Sequence, residues 1–489
     1  MASGPASGPA RGPLHGVRVI DLTAMVMGPY CTQIMADMGA DVIKVEPPQG
    51  DDTRFISVGP APGMSGVFVN VNRGKRSVVL DLRTDTGRRA LKALCEKADV
   101  FIHSMRAKAI TRLGFGYDDV AGLNPRIVYT NCYGYGRRGP DHDRPAYDDT
   151  IQAECGLPAV QAQLTGQADY VGTIMADKIA GLTALYATTM ALFHRERTGE
   201  GQEVEVAMFE TMASFMLVEH ANGAMFDPPL GPAVYPRTVA PNRRPYRTSD
   251  GEIAALIYND RHWAAFIDAV QPPWAGDQYA TLEQRARTID TVYGLVAETM
   301  KERTTDEWLA LFRTLEIPAA PLNTPDALFD DPHLNAVGLF ETVDTPHGPV
   351  RFPGVPTWFS RTPGHVAGPA PMLGAIRTRL VGADDIELHF ERFAAPPVTD
   401  GHEFKVEVAS TGQTIAVAAD ETLLTALIKA GVHAPYSCQQ GFCGTCRVKV
   451  LAGAVDHRDG LLTETERDSG QALICVSRAQ GDGPLTLDL

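Results

Sequence analysis

The sequence predicts an α/β protein that begins with a doubly wound parallel sheet, and three observations support this fold class. Short runs rich in Val and Ile alternate with segments of helical spacing between Val17 and Val206, which is typical of strands joined by helical crossovers. The chain has 489 residues, of which 44% are hydrophobic, enough for about three domains with cores of their own. Its 46 Gly and 35 Pro exclude a collagen-like or low-complexity chain.

Five β-branched runs predict the first strands of this sheet, and the segments between them predict its helices. The strands are expected at Val17–Leu22, Val42–Val45, Ser77–Leu82, Asp99–Ile102 and Arg126–Asn131. Helical spacing is found at Tyr30–Met38, Thr84–Lys97 (with Thr84 as N-cap) and Lys178–Arg195, before a further strand at Gln202–Val206. This alternation favours a Rossmann-like arrangement.

Two Pro-rich stretches divide the chain into the domains that we predict. They lie between Asp227 and Arg247 and between His389 and Thr399, and their composition is that of linkers. We therefore expect a disordered tail at 1–13, a large domain made of 14–226 and 331–383, a small α/β domain at 248–330, a linker at 384–402 and a third domain at 403–489.

The charge and hydropathy of the chain argue against two classes of partner. A net charge of −15 disfavours nucleic acid as the main partner. No apolar run approaches the roughly 20 residues of a membrane-spanning helix, and Met1–Pro13 lacks the apolar core of a signal peptide. We therefore expect a cytoplasmic protein that binds neither nucleic acid nor a membrane.

The strongest chemical signal is a set of four cysteines near the C-terminal end. Cys438, Cys443 and Cys446 are separated by four and two residues, and Cys475 follows after 28 more. Four thiolates with this spacing are the plant-type ligand set of a 2Fe–2S cluster, whereas structural zinc sites more often pair two Cys-x2-Cys units. We predict these cysteines as metal ligands and a 2Fe–2S cluster as the cofactor.

The residues around these cysteines resemble a known electron-transfer module. YSCQQGFCGTCRVKVLAGAVDHRDGLLTETE and ALICVSRAQGDGPLTLDL are similar to the C-terminal ferredoxin domain of phthalate-dioxygenase-type reductases. The resemblance implies a β-grasp fold and an electron-transfer role. Nothing in the first 383 residues resembles the flavin and nicotinamide modules of those reductases, so an external reductase and an oxygenase are the expected partners.

A second resemblance covers nearly all of residues 15–380. GVRVIDLTAMVMGPYCTQIMADMGADVIKVEPP, NRGKRSVVLDL and MADKIAGLTALYATTMALFHRERTGEGQEVEVAMFE look like the family III CoA-transferases, the formyl-CoA transferase, carnitine and bile-acid-inducible group. The resemblance implies a Rossmann-like large domain with a small α/β domain, in an interlocked homodimer.

The same resemblance implies that Asp177, in Met175-Ala176-Asp177-Lys178, is the catalytic nucleophile. From the residues alone, an acid at the start of a helix is more often an N-cap or a first-turn acid favoured by the helix dipole than a nucleophile. A nucleophilic Asp would attack the thioester of an acyl-CoA to form an anhydride and then an aspartyl-CoA thioester. An acyl-CoA donor and a carboxylic acid acceptor are the expected substrates.

Positions that contact CoA in formyl-CoA transferase are matched here by Leu80, Arg83, Arg112 and Tyr135. The resemblance thus implies that coenzyme A binds at these residues as a substrate. Arg83 replaces a Lys, which keeps the positive charge for a phosphate but changes its geometry. Val26 and Pro47 stand where formyl-CoA transferase has Gln and Arg, and His103-Ser104-Met105-Arg106 replaces the common Glu-Asn-Phe-Arg. Pro47 and the loss of that Glu favour a less polar pocket and a larger organic acyl group.

Two alternatives to CoA transfer stay open. The α-methylacyl-CoA racemases of the same family use a His as an acid or base, and its position corresponds to Tyr147 here, with His142 nearby but offset. The second alternative is an electron-transfer protein in which the transferase part is only a scaffold.

Overall fold

The computed structural model describes residues 12–59, 63–345, 348–366, 368, 398, 401–434, 446–459, 461–481 and 483–489. The chain divides into two units, one of Met1–Tyr133, Gly181–Val206 and Phe340–Leu489 and one of Gly134–Ala180 and Ala207–Leu339. The predicted tail, apart from residues 12 and 13, and the predicted linker, apart from 398, 401 and 402, lie outside the described residues.

A six-stranded sheet forms the centre of the first unit. Its strands are β1 (Arg18–Leu22), β2 (Asp41–Glu46), β3 (Arg76–Val79), β4 (Val100–His103), β5 (Val128–Tyr133) and β6 (Gln202–Ala207). Their order is β3-β2-β1-β4-β5-β6, and the pairs among the first five strands are parallel. This is the Rossmann-like order of a doubly wound sheet, so the predicted fold class is confirmed.

Helices alternate with these strands as the sequence predicts. They are α1 (Met27–Asp37), α2 (Gly66–Asn72), α3 (Asp85–Cys95), α4 (Ala107–Arg112), α5 (Tyr117–Leu123), α6 (Asp148–Glu154), α7 (Leu157–Thr165), α8 (Met175–Thr198) and α9 (Met208–His220). Short 3₁₀ turns occur at Asp52–Phe55 and Asn222–Met225. Thr84 caps α3 as predicted, since its Oγ1 accepts the N–H of Gly87 at 3.0 Å.

The second unit contains a smaller sheet with helices. Strands β7 (Tyr246–Arg247), β8 (Glu252–Ala255) and β9 (Ala319–Pro321) pair antiparallel. The later helices are α10 (Asp260–Val270), α11 (Leu282–Arg287), α12 (Ile289–Met300), α13 (Thr305–Thr314) and α14 (Pro332–Ala336), with 3₁₀ turns at Asp277–Tyr279 and Ala327–Asp330. Its core is rich in aromatic side chains, and the Nε1–H of the buried Trp308 donates to the Met300 carbonyl at 2.7 Å.

The C-terminal region forms a mixed sheet with one helix packed in its core. The hairpin β10 (Phe340–Thr345) and β11 (Gly348–Pro353) precedes it. The following elements are β12 (Phe404–Val408), β13 (Gln413–Val417), α15 (Leu423–Lys429), β14 (Arg447–Ala452), β15 (Val455–Asp456), α16 (Glu464–Asp468), β16 (Gln471–Leu473), β17 (Arg478–Ala479) and β18 (Leu485–Leu487). Five strands join in the order β13-β12-β18-β14-β16, with β12 parallel to β18 and the other pairs antiparallel. Across the described part of the chain, no helix is both long and apolar enough to cross a bilayer.

Charged side chains are buried near the end of β1, beside the crevice where doubly wound sheets bind ligands. Asp21 is fully buried, and its Oδ2 accepts hydrogen bonds from Lys75 Nζ at 3.1 Å and from Thr32 Oγ1 at 2.6 Å. Burial raises the pKa of Asp21, but the Lys75 and Lys44 cations and two threonine hydroxyls outweigh that effect and lower it to about 2. The pKa of Asp21 in the folded protein lies below its usual value of 3.8. The charged carboxylate therefore stabilises the fold above pH 3.8, and this stabilisation is lost as the pH falls toward about 2.

Replacing Lys75 by Met is expected to destabilise the first unit by about 3–5 kcal/mol, because it leaves the Asp21 carboxylate buried without its closest cation. Arg76→Met is the matched control, since Asp41, its partner, is partly exposed and keeps Arg18 at 2.9 Å. A partly exposed pair contributes less than a fully buried one, and pairs at the surface contribute about 1 kcal/mol or less. Urea unfolding of both variants measures the difference, and equal unfolding midpoints would show that the buried pair has no special weight.

Candidate active site and cluster-binding site

Asp177 lies in the first turn of α8, the longest helix of the described residues. The helix begins at Met175 rather than at the predicted Lys178, so Asp177 is its third residue and is half-buried. The backbone N–H of Asp177 donates to Asp148 Oδ1 at 3.0 Å. This bond supplies a partner for one of the N–H groups that a helix start leaves unpaired, which explains the earlier start of α8.

Helix α6 holds the chain that leads into α8. Gln152 is buried, and its Nε2 donates to Asp148 Oδ2 at 2.5 Å and to the Thr173 carbonyl at 3.3 Å. Its Oε1 accepts the N–H of Val171 at 3.1 Å. These bonds fix the backbone from Val171 to Asp177 against one helix. No local sequence pattern predicts Asp148 or Gln152, because their partners lie about 20–30 residues away.

Tyr135, a predicted CoA contact, is held by the other end of α6. The ring is buried, and the hydroxyl donates to Glu154 Oε2 at 2.9 Å. Burial raises the pKa of Tyr135, and the Glu154 carboxylate adds to that rise. The preceding Gly134 leaves no room for a side chain, since a Cβ there would lie 2.3 Å from the Cβ of Ala146. Helix α6 therefore positions both predicted residues of this unit, Tyr135 and Asp177.

The other three predicted CoA contacts lie in the first unit. Leu80 directly follows β3 and is buried in the core of this unit, with its N–H donating to the Glu46 carbonyl at 2.9 Å. Arg83 is 81% exposed, and two of its nitrogens donate to Asp81 at 2.8 Å each. Arg112 is the last residue of α4 and is exposed. The two arginines can therefore meet an anion in solvent, whereas the Leu80 side chain is part of the core.

The loops that follow β1 and β4 form the crevice of the sheet. The strand order reverses between these two strands, and open α/β sheets bind ligands at such a reversal, beyond the carboxyl ends of the strands. The two loops are tied together there, because the N–H of Ala24 donates to Ser104 Oγ at 3.0 Å. The sheet topology therefore favours a ligand site at this edge of the first unit.

The positions that bear on the racemase alternative lie before and at the start of α6. Tyr147 is the N-cap residue of α6 and is 62% exposed. His142 lies in an exposed loop, with its Nε2 3.3 Å from Asp143 and its Nδ1 3.1 Å from the Gly139 carbonyl. The described contacts of His142 are therefore with its own loop.

Two of the predicted cluster ligands are described, and they lie together. Cys446 and Cys475 are both buried, and their Sγ atoms are 3.0 Å apart. The register explains this, because Cys446 immediately precedes β14, Cys475 comes two residues after β16, and the antiparallel pairing places Arg447 opposite Leu473. Two thiols that converge inside an apolar core are close enough to share one metal ion, so the residues present fit the implied cluster.

Cys438 and Cys443 fall in 435–445, outside the described residues. Within the part of the chain that the structure describes, no group of three or more His, Cys, Asp or Glu side chains is placed to hold a metal ion. The two described cysteines are thus the structural evidence for the cluster site.

Comparison with known proteins gives two matches along the chain. Residues 14–376 match CoA-transferase family III, and residues 406–480 match the 2Fe-2S iron-sulfur cluster binding domain. The chain is 32% identical over 379 residues to succinyl-CoA:mesaconate CoA-transferase of Haloarcula marismortui, covering 75% of this chain and 95% of that protein. It is 32% identical over 398 residues to succinate–glutarate CoA-transferase of Agrobacterium fabrum, covering 78% and 98%. A crystal structure of a CAIB/BAIF family protein from Brucella suis aligns with a TM-score of 0.63 at 30% identity, covering 76% of this chain and all of that one.

Proposed function

The chain belongs to CoA-transferase family III and carries a 2Fe–2S cluster binding domain after the transferase part, and from this premise we propose that Asp177 is the nucleophile of its CoA-transfer reaction. The observation that carries the proposal is the placement of Asp177. It is a half-buried carboxylate in the first turn of α8 whose own N–H is fixed by the buried Asp148. The carboxylate must first reach the thioester carbonyl of the donor and then present its own Cγ to the CoA thiolate, and a fixed backbone lowers the entropy lost in reaching these alignments.

The proposed reaction has two symmetrical halves. A carboxylate oxygen of Asp177 attacks the thioester carbonyl of the donor, the C–S bond breaks, and a mixed anhydride forms with release of the CoA thiolate. The thiolate attacks Cγ of Asp177, which gives an aspartyl-CoA thioester and frees the donor acid. The acceptor carboxylate then attacks the same Cγ and expels the thiolate. The thiolate finally attacks the acceptor carbonyl, which yields the new acyl-CoA and restores the Asp177 carboxylate.

The proposed substrates are an acyl-CoA donor and a carboxylic acid acceptor. The names of the two relatives above contain succinyl-CoA or succinate together with mesaconate or glutarate, so we propose succinyl-CoA as the first donor to test. Arg83 and Arg112 are proposed to contact CoA phosphates, which matches their exposure and the affinity of guanidinium groups for phosphate. Leu80 and Tyr135 are proposed to contact CoA through the loop after β3 and the segment after β5.

A transfer assay tests this function. The protein is incubated with succinyl-CoA and either mesaconate, glutarate or a bulky aromatic acid, and the CoA thioesters are separated by chromatography. We expect a new acyl-CoA in equal amount to the succinate released. Hydrolysis of succinyl-CoA without a new thioester would contradict the proposal and favour the scaffold alternative. Exchange of the α-hydrogen of a 2-methylacyl-CoA in deuterated water, without transfer, would favour the racemase alternative.

We also propose that the chain forms a homodimer. Leu182, Tyr186, Met190 and Phe193 follow one another at helical spacing on α8, and each is exposed. Exposed apolar patches of this kind mark protein–protein interfaces, and the interlocked dimer implied by the family resemblance would cover this one. Light scattering that gives the 52.7 kDa mass of a single chain would contradict the dimer.

The four cysteines 438, 443, 446 and 475 are proposed to hold the 2Fe–2S cluster, which supplies one-electron transfer when bound. Because CoA transfer moves no net electrons, we propose that the C-terminal domain exchanges electrons with an external reductase and an oxygenase. A cytoplasmic location belongs to the same proposal, since ligand cysteines and the CoA thiol both require a reducing compartment. Failure of a ferredoxin reductase to reduce the bound cluster would contradict the electron-transfer role.

A further inference from the structure

Two cavities adjoin in the smaller α/β region of the second unit. The first has a volume of about 530 Å³ and the second a volume of about 390 Å³. Arg237, Tyr246, Leu256 and Tyr293 line both of them, so the two volumes meet at these side chains. Ligand pockets of this size are common for small organic molecules, and neither lining includes Asp177 or a cysteine.

The first cavity carries positive charge without a balancing acid. Arg237, Arg243 and Arg244 line it, and neither cavity has an Asp or Glu in its lining. None of the three arginines forms an ion pair with a described carboxylate. Arg244 donates to the Pro241 carbonyl. Three guanidinium groups around one cavity, with no acid in its lining, give it a positive field that attracts an anion.

Arg237 is the best placed of the three to bind that anion. It is half-buried, and its Nε donates to the Tyr293 hydroxyl at 2.9 Å. Its guanidinium carbon lies 5.3 Å from the centre of the Tyr258 ring. These contacts orient the group, and its two terminal nitrogens have no hydrogen-bond partner among the described residues. Two parallel N–H donors of this kind match the geometry of a carboxylate.

Apolar side chains line part of the second cavity. Trp263, Ile289, Val292 and Val296 are among its lining residues. Its other arginine, Arg285, is already paired with Asp260 at 2.7 Å, so it adds little free charge. A ligand that fills both cavities therefore needs an anionic end at Arg237 and an apolar body beyond it.

We propose that the joined cavities bind an amphipathic carboxylic acid. Its carboxylate pairs with Arg237, with Arg243 and Arg244 adding to the positive field, and its apolar body lies among the aromatic and aliphatic side chains of the second cavity. Inorganic phosphate shares the negative charge but has no apolar body to contact the aromatic and aliphatic side chains of the second cavity. This binding does not depend on the transfer reaction and is measured without it.

Isothermal titration calorimetry on the full-length Asp177→Ala protein tests the proposal in the absence of turnover. The probes are 4-phenylbutyrate, 4-phenylbutanol as the same body without charge, and inorganic phosphate as charge without the body. We expect saturable binding of one 4-phenylbutyrate per chain. The affinities of 4-phenylbutanol and of phosphate should be lower by about tenfold or more. Adding Arg237→Gln to the Asp177→Ala protein should lower its affinity for 4-phenylbutyrate by about tenfold or more.

Arg261→Gln is the matched control, because Arg261 is exposed and paired with Glu316 at 2.8 Å; it should leave the affinity unchanged. The double variant Arg243→Gln/Arg244→Gln changes only exposed residues, so it keeps the test valid if Arg237→Gln fails to fold, and it should weaken binding severalfold. The proposal is overturned if 4-phenylbutyrate does not bind, if phosphate binds as tightly, or if the folded arginine variants bind as well as the Arg261→Gln protein.

Discussion

Asp177→Ala is expected to lower the rate of CoA transfer by at least about a thousandfold, because the anhydride and the thioester of the proposed mechanism both form on the carboxylate that this variant lacks. The fold should remain, because the substitution keeps the backbone N–H of residue 177 that donates to Asp148 at 3.0 Å. Initial rates of acyl-CoA formation measure the effect, and circular dichroism checks that the protein is folded.

Asp149→Ala is the matched control for that result. Asp149 also lies in the first turn of a helix, α6, and is exposed, so it has the same favourable interaction with a helix dipole, worth about 0.3–1 kcal/mol. We expect its transfer rate to stay close to that of the unaltered protein. If Asp177→Ala also kept a tenth or more of the activity, Asp177 would be a first-turn acid and not the nucleophile.

Cys475→Ser is expected to remove nearly all bound iron and the visible absorbance of the cluster. The thiolate ligand is lost, and the serine hydroxyl would lie in the apolar core at the end of β16 that Cys475 shares with Cys446. Iron analysis and the absorbance spectrum measure the effect. The transfer rate should not change, because none of its steps moves a net electron.

Cys95→Ser is the matched control for the cluster. Cys95 is also buried, in the core of the first unit, and burial raises the pKa of its thiol to about 12, which makes it a poor metal ligand. We expect full iron content in this variant. An unaltered protein without iron, or a Cys475→Ser protein with the iron content of the control, would contradict the assignment of the ligand set.

The sequence predicted the parallel sheet and the cap of α3 because both follow from local patterns. Hydrophobic runs identify buried strands, and Thr84 caps a helix by a bond to a residue three positions later. The third strand shows the limit of such patterns. It was expected at Ser77–Leu82 but ends at Val79, because the chain turns at Asp81, whose carbonyl accepts the N–H of Thr84 at 3.0 Å.

Long-range polar partners were not predictable in the same way. Gln152 forms hydrogen bonds with Val171 and Thr173, which are about 20 residues away. Lys75 is buried beside Asp21, which is also far from it in sequence. A Gln or Lys is usually exposed, so the residue type alone does not indicate that one of them is buried and bonded to a distant segment. The arginine-lined cavity likewise depends on how strands β7 and β8 and helix α12 come together around Arg237.

The transfer of oxygen from the acceptor acid to Asp177 is the most direct test of its role as the nucleophile. The proposed mechanism makes an oxygen of the acceptor carboxylate the bridge of the second anhydride, and that oxygen remains on Asp177 when the thiolate attacks the acceptor carbonyl. The protein is therefore allowed to turn over with succinyl-CoA and an acceptor acid labelled with oxygen-18, and the peptide that contains Asp177 is weighed by mass spectrometry. We predict that a heavy oxygen is found on Asp177 and on no other acidic residue. Turnover that leaves this peptide unlabelled would contradict a nucleophilic role of Asp177.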